Sequence, residues 1–251
     1  MVCVVTTVPW RIEEFDEIDS TNRWLLDQAR RGAPEGLVAR ADYQSAGRGR
    51  LTRTWEAPKR SSLLTSLLLR PAFDESDVHL VTVTVALCAR DALTRLCGLR
   101  PALKWPNDLV VGDAKIGGIL AEAVRTSDGT LAVVVGLGLN LTTPGPAGAG
   151  GTCVLDECQI TIDPRAALDM LLFEMDARVS LLEPDGRESL RQQYRAALTT
   201  LGRSVRVERM RDVVTGVAVD VDDAGRLMVD TGGATMIIDV GDVVHLRPGE
   251  S

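Results

Sequence analysis

The chain has 251 residues, of which 45% are hydrophobic and 25% charged, and a formal net charge of -7. That balance describes a soluble globular protein with room for a sizeable core and for two domains of unequal size. It excludes a general affinity for nucleic acid or anionic membrane, since an acidic chain is repelled by both at long range, so any arginine cluster must act locally.

Taken in chain order, FDEIDSTNRWLLDQARRGAPEG passes from a short extended segment into a helix. Ser20 or Thr21 caps it, Trp24, Leu25 and Gln28 follow at helical spacing, and Gly32 with Pro34 ends it. LVARADYQ predicts a strand that runs into an arginine-rich loop, and SSLLTSLLLRP a buried strand stopped by Pro71. The β-branched middle of the segment from Asp77 to Cys97 leaves helix and strand both open by propensity, whereas its length and its Ala- and Arg-rich second half favour helix. Three extended segments follow, ALKWPND, AKIGGILAEAVR and TLAVVVGLGLNL, the last two joined by a TSDG turn. Residues 143 to 151, TPGPAGAGG, suit no regular element.

DPRAALDMLLFEMDARVSLLE predicts a helix with Asp163 as cap and Pro164 at its first position, and GRESLRQQYRAALTTLG predicts a second. Beyond Gly202 the pattern becomes short alternating strands divided by DDAG, TGG and VGD, as in a small β-barrel. A domain boundary is therefore expected near residue 200, giving units 1 to 200 and 201 to 251.

The cysteines Cys3, Cys88, Cys97, Cys153 and Cys158 are odd in number and lack Cys-x-x-Cys spacing, which predicts reduced packing or surface thiols. No charged segment followed by an apolar run opens the sequence. The longest apolar runs fall far short of the roughly 20 residues that span a bilayer, so a cytoplasmic location without membrane attachment is expected.

Four short motifs carry candidate chemistry. In GRGRLTRTW, Gly47 and Gly49 allow close backbone approach to a ligand, Arg48, Arg50 and Arg53 supply forked donors for phosphate or carboxylate, and Trp55 offers a stacking surface. A solvated surface loop is the competing reading. KWPND brings together Lys104, Asn107 and Asp108, oxygen ligands suited to Mg²⁺ or ribose, or else an ordinary turn. KIGGILAE sets Lys115 beside Gly117 and Gly118, and GLGLN sets Gly136 and Gly138 on one strand face ahead of Asn140. Strand glycines mark a close ligand or a close packing partner. Lysine is scarce, at Lys59, Lys104 and Lys115 only, which draws attention to the last two. The lone histidines His79 and His245 speak against a histidine-dependent triad, GLGLNL lacks the third glycine of the dinucleotide fingerprint, and no Gly-Lys-Ser/Thr occurs.

In this order DSTN, YQSAGRGRLTRTW, LKWPND, KIGGILAE and GLGLN resemble the biotin protein ligases, densely over about residues 16 to 141, and the β-rich tail resembles their SH3-like C-terminal domain. The resemblance implies an α+β fold, a mixed sheet flanked by helices and related to class II aminoacyl-tRNA synthetase cores. It implies a reaction in which biotin and MgATP give biotinyl-5′-AMP, whose acyl group passes to one lysine of a biotin carboxyl carrier domain of acyl-CoA carboxylases.

Carried onto matching positions, the resemblance implies that Ser20, Thr21, Asn22 and Gln44 line the biotin site with the Gly47 to Arg50 backbone. Arg48 and Arg50 would hold the biotin carboxylate and adenylate phosphate, Arg53 the departing pyrophosphate, and Trp55 the adenine. Lys104 would stand on the nucleotide side, Asn107 and Asp108 would meet ribose or Mg²⁺, with Asp108 the metal ligand, and Lys115 would bridge the carboxylate and the α-phosphate. Lys115, Arg50, Arg48 and Asp108 are thus the implied catalytic set. Gly117, Gly118, Gly136 and Gly138 would floor the biotin site, and Asn140 would bond near the adenine. The Arg loop and residues 143 to 151 are expected to be mobile when empty and to order over the adenylate. DSTN begins at Asp19, which predicts no helix-turn-helix and no DNA binding. Lipoate ligase or octanoyltransferase is the nearest enzymatic alternative, and a non-catalytic biotin or adenylate sensor an alternative of another class.

Overall fold

A computed structural model describes residues 8–51, 53–146 and 150–246. Its larger unit is a seven-stranded sheet in the order β1-β2-β3-β7-β6-β5-β4, formed by β1 (Arg11–Phe15), β2 (Leu37–Ala41), β3 (Ser62–Leu69), β4 (Ala102–Lys104), β5 (Asp108–Val111), β6 (Ala114–Arg125) and β7 (Leu131–Asn140). β1 and β2 run parallel and the remaining neighbours antiparallel, so the sheet is mixed as expected.

Helix α1 (Thr21–Arg30) covers one face. Ser20 caps it, its hydroxyl accepting the Arg23 N–H at 3.4 Å. Leu25, Leu26 and Ala29 pack there against Ala39, Leu68, Ala132 and Val134. The opposite face carries α2 (His79–Cys97), α4 (Pro164–Arg178) and α5 (Arg187–Ala197) over Leu63, Leu67, Val133, Val135, Leu137 and Leu139. The ambiguous segment from Asp77 is thus a helix. Its β-branched residues each cost up to about 0.7 kcal/mol in propensity, whereas burying a Val or Leu side chain returns about 1.5–3 kcal/mol. Val81, Val83, Val85, Leu87 and Leu93 are all buried, and Thr84 Oγ1 donates to the Leu80 carbonyl at 2.8 Å. Burial decides the outcome.

Three local expectations need correction. ALKWPND is a hairpin, with β4 and β5 paired across a turn at Trp105 to Asn107, because both arms have partners that one continuous strand would lack. The extended segment ahead of α1 lies at Arg11–Phe15, four residues before DSTN begins at Asp19. Helix α4, capped by Asp163 through Arg165 N–H at 2.8 Å, ends at Arg178 and passes into a 3-10 turn, and a short helix α3 (Val154–Cys158) was not foreseen.

The C-terminal unit is a five-stranded antiparallel sheet, β11-β10-β9-β8-β12, built from β8 (Ser204–Glu208), β9 (Val213–Val221), β10 (Leu227–Asp230), β11 (Thr235–Ile238) and β12 (Asp242–His245). Alternation buries Val205, Val207, Val229, Ile238 and Val243. Trp105 joins the units: its indole N–H donates to the Gly225 carbonyl at 2.9 Å, and its backbone N–H to Thr200 Oγ1 at 3.1 Å.

The described cysteines Cys88, Cys97, Cys153 and Cys158 are free thiols, and Cys3 lies outside the described residues. No helix among those residues is long and apolar enough to cross a membrane.

Candidate active site

The period of β7 creates the site. Its odd residues feed the core, while its even residues read Ala132, Val134, Gly136, Gly138 and Asn140 along the α1 face. Where side chains give way to glycine the face opens into a cavity of about 230 Å³. Gly118 on β6 lies opposite Gly138 and extends that floor. A Cβ on Gly136 would come within 2.3 Å of Asn22 Oδ1, and one on Gly138 within 2.4 Å of the Trp55 ring. The glycines therefore keep room for two side chains that line the cavity.

One end of the cavity is polar and uncharged. Ser20, Thr21, Asn22 and Gln44 line it. The Thr21 N–H donates to Gln44 Oε1 at 2.8 Å, and Thr21 Oγ1 lies 3.0 Å from the same oxygen. Ser66 Oγ stands behind them, 2.7 Å from Thr21 Oγ1 and 2.6 Å from Asn22 Oδ1.

The other end gathers cations, each resting on an oxygen of the protein. Arg48 Nη1 is 2.8 Å from Glu122 Oε1, Lys115 Nζ is 2.6 Å from Asp108 Oδ1, and Arg53 forks onto both carboxylate oxygens of Asp242 in β12. Arg50 differs, for its Nη1 donates at 3.4 Å to the neutral Asn107 Oδ1. Three of these four thus meet a carboxylate and Arg50 meets a neutral amide, while a fifth cation, Lys104, also lines the cavity. Burial pushes the Arg50 guanidinium below the usual arginine range, while Asp242 and Asp108 push the other way. It stays charged, and its field is left for a ligand. Behind it Tyr194 is buried, and that burial raises its phenol. Lys115 Nζ also stands 5.5 Å from the Trp55 ring centroid. The Trp55 indole nitrogen is buried without a hydrogen-bond partner. An uncharged polar pocket beside a cationic one suits a ligand with a neutral polar head and an anionic tail.

The biotin/lipoate A/B protein ligase family model matches residues 14–140, and the biotin protein ligase C terminal domain model matches residues 200–246. A biotin--[acetyl-CoA-carboxylase] ligase of Mycobacterium tuberculosis is 37% identical over 95% of this chain and 90% of its own length. The chain belongs to the biotin protein ligase family. A Paracoccus denitrificans protein of the same name is 31% identical over 90% of this chain and 96% of its own. In shape, the chain matches a biotin protein ligase from Aquifex aeolicus, solved with biotin and ATP, at a TM-score of 0.79, 24% identity and coverage of 94% and 99% of the two chains. The mixed sheet with flanking helices and the SH3-like second sheet are thus those of biotin protein ligases.

Within this biotin protein ligase fold, the cavity brings together Ser20, Thr21, Asn22 and Gln44 with Arg48, Gly49, Arg50 and Arg53. Trp55, Lys104, Asn107, Asp108 and Lys115 complete its cationic side, over Gly118, Gly136 and Gly138. Three implied residues fall outside. Gly117 faces the core, its Cβ position meeting Leu109 and Leu139, because neighbours in a strand point to opposite faces. Gly47 braces the loop instead, its carbonyl accepting the Trp55 N–H at 3.0 Å. Asn140 is buried, and its amide donates to the Thr152 carbonyl at 3.0 Å. Two implied roles also shift in this state: Trp55 lies over the glycine floor, and Arg48 is engaged by Glu122.

Glu122 and Asp242 were missed. Glu122 was legible, since Gly118, Leu120 and Glu122 share a face by period two. Asp242 was not, since 189 positions separate it from Arg53. Residues 150 and 152 clamp the Lys115 backbone, its N–H donating to the Gly150 carbonyl at 3.1 Å and its carbonyl accepting the Thr152 N–H at 2.8 Å. The expected mobility of the Arg loop and of 143 to 151 falls partly on Thr52 and residues 147–149, which lie outside the described residues. Among those described, no group of three or more His, Cys, Asp or Glu side chains forms a metal cluster.

Proposed function

We propose that the protein joins biotin and ATP to give biotinyl-5′-AMP and pyrophosphate, then passes the biotinyl group to a lysine of a biotin carboxyl carrier domain. The observation that carries this reading is the convergence of Arg50 and Lys115 on one wall of the cavity whose other end is the uncharged Thr21 and Gln44 pocket. Biotin matches that division, with a neutral ureido head and a carboxylate tail.

In the first step a carboxylate oxygen of biotin attacks the α-phosphorus of ATP and the bond to the β-phosphate oxygen breaks. Two anions must meet, and their repulsion peaks as charge builds on the pentavalent phosphorus. Fixed cations stabilise that arrangement without reorganising. Arg50, with a neutral partner, would take the phosphate first. Lys115 would exchange its contact with Asp108 for oxygens of both substrates, and Arg53 would leave Asp242 for the pyrophosphate. Arg48 and Lys104 would add to the field. Asp108 suits a magnesium site, for its Oδ1 is buried and takes no directed hydrogen bond beyond the Lys115 ion pair. Magnesium is held mainly by one or two carboxylates plus substrate phosphates, and bound there it would neutralise phosphate charge.

In the second step the carrier lysine amine attacks the acyl carbon and AMP leaves. The mixed anhydride must be kept from water meanwhile, and the described residues Arg48 to Arg50 and Arg53 to Trp55 beside the cavity are assigned the role of shielding it. Trp55 would then swing from the glycine floor to the adenine. The division into catalytic residues 1 to 200 and an SH3-like unit from 201 and a cytoplasmic setting belong to the same proposal. Incubating the protein with biotin, MgATP and a carrier domain should raise the carrier's mass by one biotinyl group. A carrier of unchanged mass would refute the proposal.

A further inference from the structure

Outside the cavity two half-buried thiols lie against each other. Cys158 Sγ donates to Cys97 Sγ at 3.5 Å, and Cys97 Sγ in turn donates to the Leu93 carbonyl at 3.3 Å. Cys97 is the last residue of α2 and Cys158 the last of α3, so the contact joins two helix ends 61 positions apart in sequence. Cys88 and Cys153 are fully buried, and an oxidant dissolved in water reaches the half-buried pair before either of them.

Helix α3 has five residues, too few to persist without tertiary ties. Its N-terminal side has them. Leu155 N–H donates to the Leu141 carbonyl at 2.9 Å, Thr152 N–H to the Lys115 carbonyl at 2.8 Å, and Thr152 Oγ1 to Glu157 Oε1 at 2.6 Å. Residues 150 to 158 thus form a strap across neighbouring ends of β6 and β7, and this strap holds the backbone of Lys115. Its far end rests against α2 through Cys158.

We infer that Cys97 and Cys158 form a reversible oxidation site, at which a peroxide closes a disulfide that fastens the Lys115 strap to the end of α2. The Cys97 thiolate attacks one oxygen of hydrogen peroxide and the O–O bond breaks. A sulfenic acid remains on Cys97, and the hydroxide released takes up the thiol proton to become water. Cys158 then gives up its own proton as its sulfur attacks that of Cys97. The S–S bond forms, the S–O bond breaks, and the oxygen departs as a second water. Two electrons have passed from the sulfurs to the peroxide, and a dithiol returns them by exchange. Cys97 reacts first because its sulfur accepts the Cys158 proton. Burial, and after it that contact, push the Cys158 thiol up to about 11. The sulfurs must close to about 2.05 Å, and α3, short and exposed at Asp156 and Glu157, is the side that gives way. The bond forms whatever reaction the cavity performs.

The test treats the full chain with hydrogen peroxide or with a dithiol, then digests each sample without reduction for mass spectrometry. Oxidised protein should be lighter by two hydrogens and yield a peptide linked through Cys97 and Cys158. Its thermal midpoint should rise by roughly 5–10 °C over the reduced form, since the bond closes a long loop in a chain of this size. Amide exchange at Lys115, Thr152 and Leu155 should slow at least about tenfold. C97S and C158S should show neither change. Oxidised and reduced wild type are compared directly, which keeps the test available should a serine variant fold poorly. A sulfinic acid or a small-thiol adduct in place of the linkage, a disulfide to Cys3, or a Cys97–Cys158 linkage that moves neither midpoint nor exchange would each overturn the inference.

Discussion

Replacing Lys115 by methionine is expected to slow adenylate formation by one to two powers of ten at least. The methionine keeps an unbranched stem against Trp55 but removes the ammonium that stands 2.6 Å from Asp108. Hydrogen bonds to charged groups are worth about 1.5–3 kcal/mol each, and 1.36 kcal/mol is a factor of ten in rate. The loss should fall on kcat for pyrophosphate release, because the ammonium acts most strongly where carboxylate and phosphate charges merge. The clamp from Gly150 and Thr152 involves only the backbone of Lys115, so the strand itself should survive the change. Single-turnover pyrophosphate release distinguishes this outcome from weakened binding. A variant with wild-type kcat would mean that Lys115 serves only to neutralise Asp108.

Gly138→Val is expected to lower kcat/KM for biotin by a comparable factor while leaving the protein folded. Valine favours a strand, so the backbone offers no objection. Space does, for three Trp55 ring atoms lie between 2.4 and 2.8 Å from the position of the new Cβ. Either Trp55 leaves the floor or the strand shifts, and overpacking of this kind costs about 1–3 kcal/mol. Even with Trp55 gone, the added methyl groups occupy the floor that a ligand needs. Steady-state kinetics with varied biotin, beside far-ultraviolet circular dichroism, provides the check. Wild-type turnover in this variant would show that the ligand does not approach β7.

The architecture was legible where periodicity and punctuation agreed. The bounds of β6 coincide with AKIGGILAEAVR, and Ser20 and Asp163 cap their helices as their neighbours in sequence suggest. The glycines at 136 and 138 were legible as a gap on one strand face, because two residues separate them. Gly117 misled for the same reason. Adjacent to Gly118, it had to face the core, and strand alternation applied to both glycines would have divided them.

What stayed hidden depends on contacts distant in the chain. Nothing near VGD marks Asp242 as the partner of Arg53, and nothing near KWPND marks Trp105 as the link to Gly225. Asn140 appeared to be a ligand residue because its side chain carries donors. The short α3 and the segment before it supply a carbonyl that uses them first. Arg48 likewise looked free for phosphate until Glu122 came into reach through β6. Local sequence reports which groups a site owns, and the fold decides which of them are already engaged.

Biotin-dependent exchange of labelled pyrophosphate into ATP, run on the wild-type chain, Arg50→Ala and Lys115→Met, tests the central claim most directly, with lipoate and octanoate as parallel substrates. The account predicts exchange with biotin alone, reduced at least about tenfold in each variant. Exchange that needs no biotin, that proceeds equally with lipoate or octanoate, or that persists undiminished without both cations would contradict it.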